Sequence, residues 1–226
     1  MRVGALLAAL VSLVLCFHVA RGTLSELYLK IAVEEYSNTP LSVLGFQAAD
    51  AAARFDPKSP TAQTQIALYQ GARGDSDEML NASRRALSRA PADARLWMQH
   101  AYLLVHAGEL GPELEATMKQ AETLAPSSHD VHLRHALLGL NIWRTAPDSL
   151  RQSSLRSMRF LQQHAPTQFL NALIDAREEL KACAFVGTDL NLQNWCETMH
   201  ARRLQCDSAD LTERVQSRCR HWNLLP

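Results

Sequence analysis

Three histidines in the second half of the chain recur at a spacing that could hold a metal ion. His129, His132 and His135 are each three residues apart. Residues three apart share one face of an α-helix, so two of these imidazoles could bind one cation. A metal-dependent hydrolase using His129 and His132 is the activity that such a site would serve. Asp130 is the one carboxylate beside them, and it is better placed to cap the helix. We therefore expect ordinary surface or groove histidines and no metal site.

Other sequence patterns for catalysis are missing. The chain has no glycine-rich phosphate loop, no His-Glu-x-x-His and no Gly-x-Ser-x-Gly. The adjacent acids Glu34 and Glu35 point about 100° apart on a helix, so they do not form an acid/base pair. The sequence therefore predicts a protein that is not an enzyme and that needs no cofactor.

The cysteines point instead to structural crosslinks. Four of the five lie in the last fifth of the chain, with spacings of 13, 10 and 13 residues; they are Cys183, Cys196, Cys206 and Cys219. An even, clustered set in an exported domain predicts two disulfides. Cys183–Cys196 with Cys206–Cys219 and Cys183–Cys206 with Cys196–Cys219 both remain open. Either pairing would staple a small C-terminal helical cap.

The N-terminus indicates export. Residues 3–20 are apolar apart from Ser12 and His18. Eighteen helical residues rise about 27 Å, which is close to the thickness of the bilayer core. The segment is either a membrane anchor or a signal peptide cleaved after Gly22. Both alternatives export residues 23–226.

Between these ends, small residues and prolines recur at a fixed period. Pro57, Pro91 and Pro126 are 34 and 35 residues apart, and an alanine stands five residues before each, at Ala52, Ala86 and Ala121. Proline ends a helix, and a small residue lets two helices approach closely. Gly74 and Gly108 fall where a turn would separate the two helices of a unit. The pattern predicts an all-α solenoid of about three to four helix pairs.

Composition agrees with this fold and excludes one class of partner. Alanine and leucine are abundant, which favours helix. The 23 basic and 23 acidic residues give zero net charge, so we expect no nucleic-acid binding. The predicted organisation is an N-terminal anchor or signal at 1–22, helical repeats at 23–165 and a cysteine-bearing helical cap at 166–226.

The repeats resemble a known family. Trp97–Ala101, Ala107–Leu110 and Ala121–Pro126 together resemble a tetratricopeptide repeat (TPR). In such repeats the first helix of each pair lines a concave binding surface. The register places nine residues on that surface, where they would bind a protein partner: Lys30, Glu34, Thr64, Arg95, Met98, Tyr102, His106, His129 and His132.

A narrower likeness concerns residues 92–196. Val131–Arg134, Leu137–Leu140 and Trp143, followed by an arginine-bearing helix and late cysteines, are similar to the VpsP-like polysaccharide biosynthesis proteins of bacteria. The resemblance implies a non-catalytic scaffold at the inner membrane, with its repeats in the periplasm. Its partners would be components of exopolysaccharide or O-antigen synthesis or export. A generic periplasmic adaptor for envelope protein assembly is the alternative.

Overall fold

The computed structural model describes residues 2–176, 201 and 204–206. These residues form nine α-helices and no strand. The helices are α1 (Arg2–Asn38), α2 (Val43–Phe55), α3 (Pro60–Ala72), α4 (Ser76–Arg89), α5 (Ala94–His106), α6 (Pro112–Leu124), α7 (His129–Asn141), α8 (Asp148–His164) and α9 (Pro166–Asp175). The prediction of an all-α chain is confirmed. The chain divides into two compact units, Met1–Glu109 and Leu110–Pro226.

Helices α2, α4, α6 and α8 end in the same way. In each, the backbone N–H of the capping residue donates to the carbonyl four residues earlier, over distances between 2.7 and 3.2 Å. A proline follows every cap. Proline has no N–H and disfavours helical geometry in the residue before it, so these helices stop there. The capping and accepting residues are Asp56 and Ala52, Ala90 and Ala86, Ala125 and Ala121, and Ala165 and Leu161.

The turns that follow three of these prolines are also alike. The N–H groups of Ser59, Asp93 and Ser128 each donate to the carbonyl three residues earlier at 3.1 Å. The same three side chains then accept a hydrogen bond from the first turn of the next helix. Such capping satisfies backbone donors that have no partner inside the helix. A repeated proline-x-serine or proline-x-aspartate turn therefore sets the period.

Glycine makes the sharper turn after α3 and α5. Gly74 and Gly108 have φ values of 81° and 80°, in the left-handed region that suits glycine. The N–H of Asp75 donates to the Gln70 carbonyl at 3.0 Å, and that of Glu109 donates to Leu104 at 2.8 Å. These bonds close the end of each helix in a Schellman-type arrangement. Both predicted turn glycines are confirmed.

The first unit has a core built largely from alanine. Ala32, Ala48 and Ala49 are buried with Tyr69, and Tyr28, Ile31, Tyr36, Phe46 and Ile66 pack around them. The Tyr69 hydroxyl donates to the Ala32 carbonyl at 2.8 Å, which joins α3 to α1. Ala52 and Ala86, the small residues singled out by their period, are 0% and 2% exposed. Small side chains here allow the paired helices to lie close together.

In the second unit, α9 completes a core on α7 and α8. Ala136, Leu140, Met158, Leu161, Phe169 and Leu173 form one buried cluster. Helix α9 thus packs where the C-terminal cap was predicted to begin. Most of that predicted cap lies outside the described residues.

The N-terminal segment and the first repeat share a single helix. The sequence predicts an anchor or signal at 1–22 that is separate from the repeats beginning at 23, whereas α1 runs unbroken for 37 residues. Gly22 costs a helix only about 1 kcal/mol and no proline interrupts it, so the helix continues. Arg21 donates to the Phe55 carbonyl at 3.1 Å, and Ser25 donates to that of Ala52 at 3.0 Å. These bonds mark where α1 begins to pack on α2.

The part of α1 before Arg21 is exposed from Leu10 onward. The stretch Leu10–Asn38 is long and apolar enough to cross a membrane, with a mean hydropathy of 1.4 in its apolar window. Length and composition are also what a signal sequence would show. The helix therefore fits either of the two predicted roles.

Two of the five cysteines lie among the described residues. Cys16 is exposed and unpaired. Cys206 is buried, and its sulfur is bonded in a disulfide. Cys183, Cys196 and Cys219 lie outside the described residues, so the pairing of the four predicted cysteines stays a prediction.

Close packing at Gly45 generates a stability prediction. A Cβ at Gly45 would overlap the Tyr69 phenol and lie 2.8 Å from the Glu35 Cβ, whereas one at Gly22 would meet nothing within 4 Å. Both glycines are helical, so alanine brings each the same gain of about 1 kcal/mol in helix propensity. Overpacking costs about 1–3 kcal/mol.

We expect Gly45→Ala to unfold at a lower temperature than the parent, and Gly22→Ala to unfold at the same or a higher one. Thermal unfolding of the full chain in detergent, followed by circular dichroism, measures both. Equal shifts for the two variants would contradict the packing described for Tyr69.

Candidate functional site

Five of the seven surface residues predicted in the first unit are exposed. They are Lys30, Glu34, Arg95, Tyr102 and His106, on helices α1 and α5. Tyr102 is 56% exposed, which is a large fraction for an aromatic residue in a folded unit. Aromatic and arginine side chains are the types enriched where proteins bind one another. This set therefore has the composition of a contact surface.

The other two residues predicted in this unit belong to the core. Thr64 is 8% exposed and Met98 is 2% exposed. The prediction that they line a binding surface is wrong, because Thr64 and Met98 lie on the sides of α3 and α5 that pack inside the unit.

The structure brings the ends of the first helices together. Burial raises the pKa of Tyr36 on α1, and the Tyr102 hydroxyl of α5 raises it further. A Cβ at Gly71 of α3 would lie 3.7 Å from the His106 ring. The same Cβ would lie 2.7 Å from the Met79 sulfur, so glycine here leaves room for Met79. Residues from α1, α3 and α5 thus border one region, to which Tyr102 and His106 contribute exposed side chains.

A cleft that sequence reasoning missed lies on the other helices of this unit. It has a volume of about 290 Å³ and is lined by α2, α3 and α4. Asp50 pairs with Arg54 at 2.7 Å, and Glu78 pairs with Arg85 at 2.6 Å. Arg85 also donates to Gln63 at 2.9 Å. Each ion pair lies within one helix, α2 or α4, so these charges of the cleft wall are already paired.

The histidine cluster in the second unit is mostly internal. His129 is exposed, but His132 and His135 are 9% and 0% exposed. His132 Nε2 contacts the Pro126 carbonyl oxygen at 2.8 Å, and its Nδ1 contacts Ser157 Oγ at 3.1 Å. The placement of His132 on an exposed groove is therefore wrong. With both ring nitrogens bonded, it also has no lone pair directed at a shared metal with His129.

These buried histidines join three helices through one carboxylate. His135 Nδ1 of α7 lies 2.7 Å from Glu122 Oε1 of α6. Ser157 of α8 donates to the same oxygen at 3.0 Å. Among the described residues no group of three or more His, Cys, Asp or Glu side chains is arranged to hold a metal. The cluster thus has a structural role: it is a polar core between α6, α7 and α8.

The number of protons each group can donate limits the hydrogen bonds in this polar core. The Pro126 carbonyl can only accept, so His132 Nε2 must carry a proton. Ser157 has one hydroxyl proton and two neighbours that could accept it, Glu122 and a neutral His132 Nδ1. The contacts run from Pro126 through His132 and Ser157 to Glu122.

The environment of Glu122 shifts its pKa downward. Burial raises the pKa of this carboxyl, but the hydrogen bond and charge of His135, the hydrogen bond of Ser157 and the charge of Arg156 lower it. The lowering effects are the larger, so the pKa lies below its ordinary value of 4.5. Glu122 is therefore the charged member that holds the buried donors in place. Sequence periodicity gave no signal for it.

Solved structures of other proteins share this fold. TTC0263, a thermophilic TPR protein of Thermus thermophilus, has a TM-score of 0.53 at 16% identity, over 77% of this chain and 97% of its own. PilF of Pseudomonas aeruginosa has a TM-score of 0.53 at 16% identity, over 73% of this chain and 72% of its own. An O-GlcNAc transferase of Thermobaculum terrenum has a TM-score of 0.50 at 18% identity, over 62% of this chain and 26% of its own.

These likenesses establish a TPR-like helical fold. At such identities they establish the fold alone. No protein-family model matches the chain, and no curated protein matches it.

The polar core yields a prediction on pH and stability. Because the pKa of Glu122 is lower in the folded than in the unfolded chain, its stabilisation is complete above about pH 4.5 and is lost as the pH falls through the folded-state value. Glu122→Gln removes the charge at every pH. We expect it to lower the free energy of unfolding at neutral pH by roughly 1–2 kcal/mol, the usual difference between charged and neutral hydrogen bonds.

The difference between parent and Glu122→Gln should shrink as the pH is lowered below 4.5, because the parent then loses the same charge. Urea unfolding over a pH series measures it. Glu115→Gln, at an exposed position of α6, is the matched control and should follow the parent. Parallel curves for Glu122→Gln and the parent would show that the charge does not stabilise the fold.

Proposed function

We propose that the chain is a non-catalytic adaptor that binds a protein partner through the exposed face of its first helices. The observation that carries the proposal is the surface of Tyr102, Arg95, His106, Lys30 and Glu34 on a TPR-like unit. On α5, an exposed tyrosine with exposed Arg95 and His106 on the same helix offers apolar contact area and hydrogen bonding to an extended or helical peptide segment. A role in binding a protein partner is sufficient to explain why these residues are exposed.

The proposed mechanism is geometric. A rigid set of packed helices holds the contact residues at fixed positions, so less conformational entropy is lost on binding. The apolar start of α1 would tether this surface to a membrane and raise the local concentration of a partner held in the same membrane. We propose the uncleaved anchor, with residues 23–226 outside the inner membrane in the periplasm. Secretion to the periplasm after cleavage near Gly22 is the alternative.

The resemblance to VpsP-like proteins suggests the partner class. On that basis we propose components of bacterial exopolysaccharide or O-antigen synthesis and export as the partners. The support is the sequence likeness of residues 92–196. A periplasmic adaptor for envelope protein assembly would use the same surface and is distinguished by which proteins it binds.

Partner capture tests the binding surface. Chemical crosslinking of the full-length protein in its native membrane, followed by mass spectrometry, identifies what it contacts. We expect Arg95→Ala combined with Tyr102→Ala to reduce recovery of the main partner on the order of tenfold or more, since arginine and tyrosine commonly dominate interface energies.

Arg89→Ala, which removes an exposed arginine from the second helix α4, serves as the control and should leave recovery unchanged. Equal recovery with the parent, the control and the double variant would reject this face as the binding surface. Capture of glycosyltransferase, polymerase or export subunits would support the polysaccharide role. Capture of envelope assembly factors instead would replace that role and keep the adaptor.

A further inference from the structure

One edge of the first unit lies beside the point where α1 leaves its apolar segment. There Arg21 donates to the backbone carbonyls of Phe55 and Arg54, at the end of α2. Arg85 of α4 donates to Gln63 in the first turn of α3, so the end of α4 reaches the start of α3. The near edge of the unit therefore consists of Arg21, residues 52–63 and residues 86–97.

The far edge of the same unit lies where α1, α3 and α5 end. The rings of Tyr36 and Tyr69 are 5.1 Å apart there, and a Cβ at Gly71 would lie 3.7 Å from the His106 ring. Helices α3 and α4 have 13 and 14 residues, so the two edges are about 20 Å apart. The far edge consists of residues 35–46, 69–79 and 103–109.

The two edges carry opposite charge. The near edge has five lysine or arginine residues and two aspartates: Arg21, Arg54, Lys58, Arg89 and Arg95 against Asp56 and Asp93. The far edge has one arginine and five acidic residues: Arg73 against Glu35, Asp75, Asp77, Glu78 and Glu109. Positive charge is therefore concentrated on the edge beside the apolar segment.

Helix dipoles explain only part of the positive charge on the near edge. A cation is favoured near a helix C-terminus, where Arg54 and Arg89 lie. Lys58 and Arg95 instead lie where α3 and α5 begin, and the dipole disfavours a cation at that end. All four are exposed, although Arg54 also pairs with Asp50 at 2.7 Å. Cations at both kinds of helix end indicate that an anionic surface lies against this edge.

The anchor proposed above places the bilayer beside the near edge. With residues 3–20 in the hydrocarbon, Arg21 lies at its boundary, and the headgroup layer extends about 5–8 Å beyond it. The end of α2 is bonded to Arg21, so the near edge lies at the depth of the headgroups. Anionic lipid attracts lysine and arginine close to its surface, so its charge complements the near edge and not the far one.

We propose that the near edge binds anionic phospholipid headgroups of the membrane that holds α1. Guanidinium and ammonium groups donate to phosphate oxygens in strong, charge-assisted hydrogen bonds. This second membrane contact would hold the first unit upright, with Tyr102 at a fixed distance from the bilayer. The inference rests on the uncleaved anchor of the proposed function, and Arg95 is the one residue that the near edge shares with the proposed protein-binding surface.

Hydrogen exchange of the full-length chain in lipid nanodiscs, read by mass spectrometry, tests this contact. Discs of phosphatidylglycerol offer an anionic surface, and discs of phosphatidylcholine with the same acyl chains offer a neutral one. We expect the backbone amides of turns 56–59 and 90–93 to exchange on the order of fivefold more slowly in the anionic discs, the effect of about one bound cation at each turn. Turns 73–75 and 107–109 of the far edge should exchange equally in both lipids.

Lys58→Gln combined with Arg89→Gln removes one exposed cation at each near-edge turn. We expect this variant to exchange at nearly the same rate in the two lipids. Lys30→Gln combined with Arg84→Gln is the matched control, because it removes two exposed cations of α1 and α4 that lie away from the near edge. The control should keep the parent's difference between lipids. Exchange at the far edge equal to that of the parent shows that each variant is folded.

Two kinds of result would overturn the headgroup contact. Equal exchange of the near-edge turns in both lipids, with the chain intact, would reject it and leave the anchor standing. A lipid difference that survives in the near-edge variant would reject it in the same way. A chain purified from the membrane whose mass shows that it begins after Gly22 would reject the anchor, and the headgroup contact with it. The intact mass therefore separates failure of the anchor from failure of the contact.

Discussion

The close approach of paired helices at buried alanines is the contact on which the rest of the structure depends. Ala52 and Ala86 are fully or almost fully buried within the first unit, and Ala121 is fully buried in the second. Each lies four residues before a cap that is followed by proline. Close-packed interiors tolerate little added volume, so the alanine fixes how near the helices lie while the proline turn fixes where the next one starts. The alanine and the proline turn together produce the repeated unit, because both act between residues that are close in sequence.

The side chains that are left exposed around this core determine which contacts the surface can make. Tyr102 is 56% exposed, so its ring is available for contact with a partner. Two sets of polar side chains are distinct: one is buried in the second unit and one is exposed on the first unit. Inside the second unit, Glu122 contacts His135 and Ser157, and Ser157 contacts His132, whereas Lys30, Glu34 and Arg95 of the first unit are exposed. The inner group stabilises the fold, and the outer group is suited to recognition.

Local backbone chemistry was predictable from the sequence, and side-chain environment less so. Gly74 and Gly108 were placed correctly because a left-handed turn demands glycine. Met98 and His132 were assigned to a groove and are buried, since a small error of register rotates a helix position into the core. Glu122 gave no signal because its partners lie on two later helices. The candidate surface was therefore predicted in part, and the polar core was missed.

The measurement that tests the account most directly is the unfolding free energy of Ala86→Leu, compared with Ala92→Leu. Ala86 is 2% exposed and Ala92 is exposed in the turn six residues later. Because Ala86→Leu overpacks the helix pair, we expect it to lower the free energy of unfolding by about 1–3 kcal/mol, while Ala92→Leu should leave that free energy near the parent value. If Ala86→Leu proves as stable as Ala92→Leu, close alanine packing does not hold the repeats together.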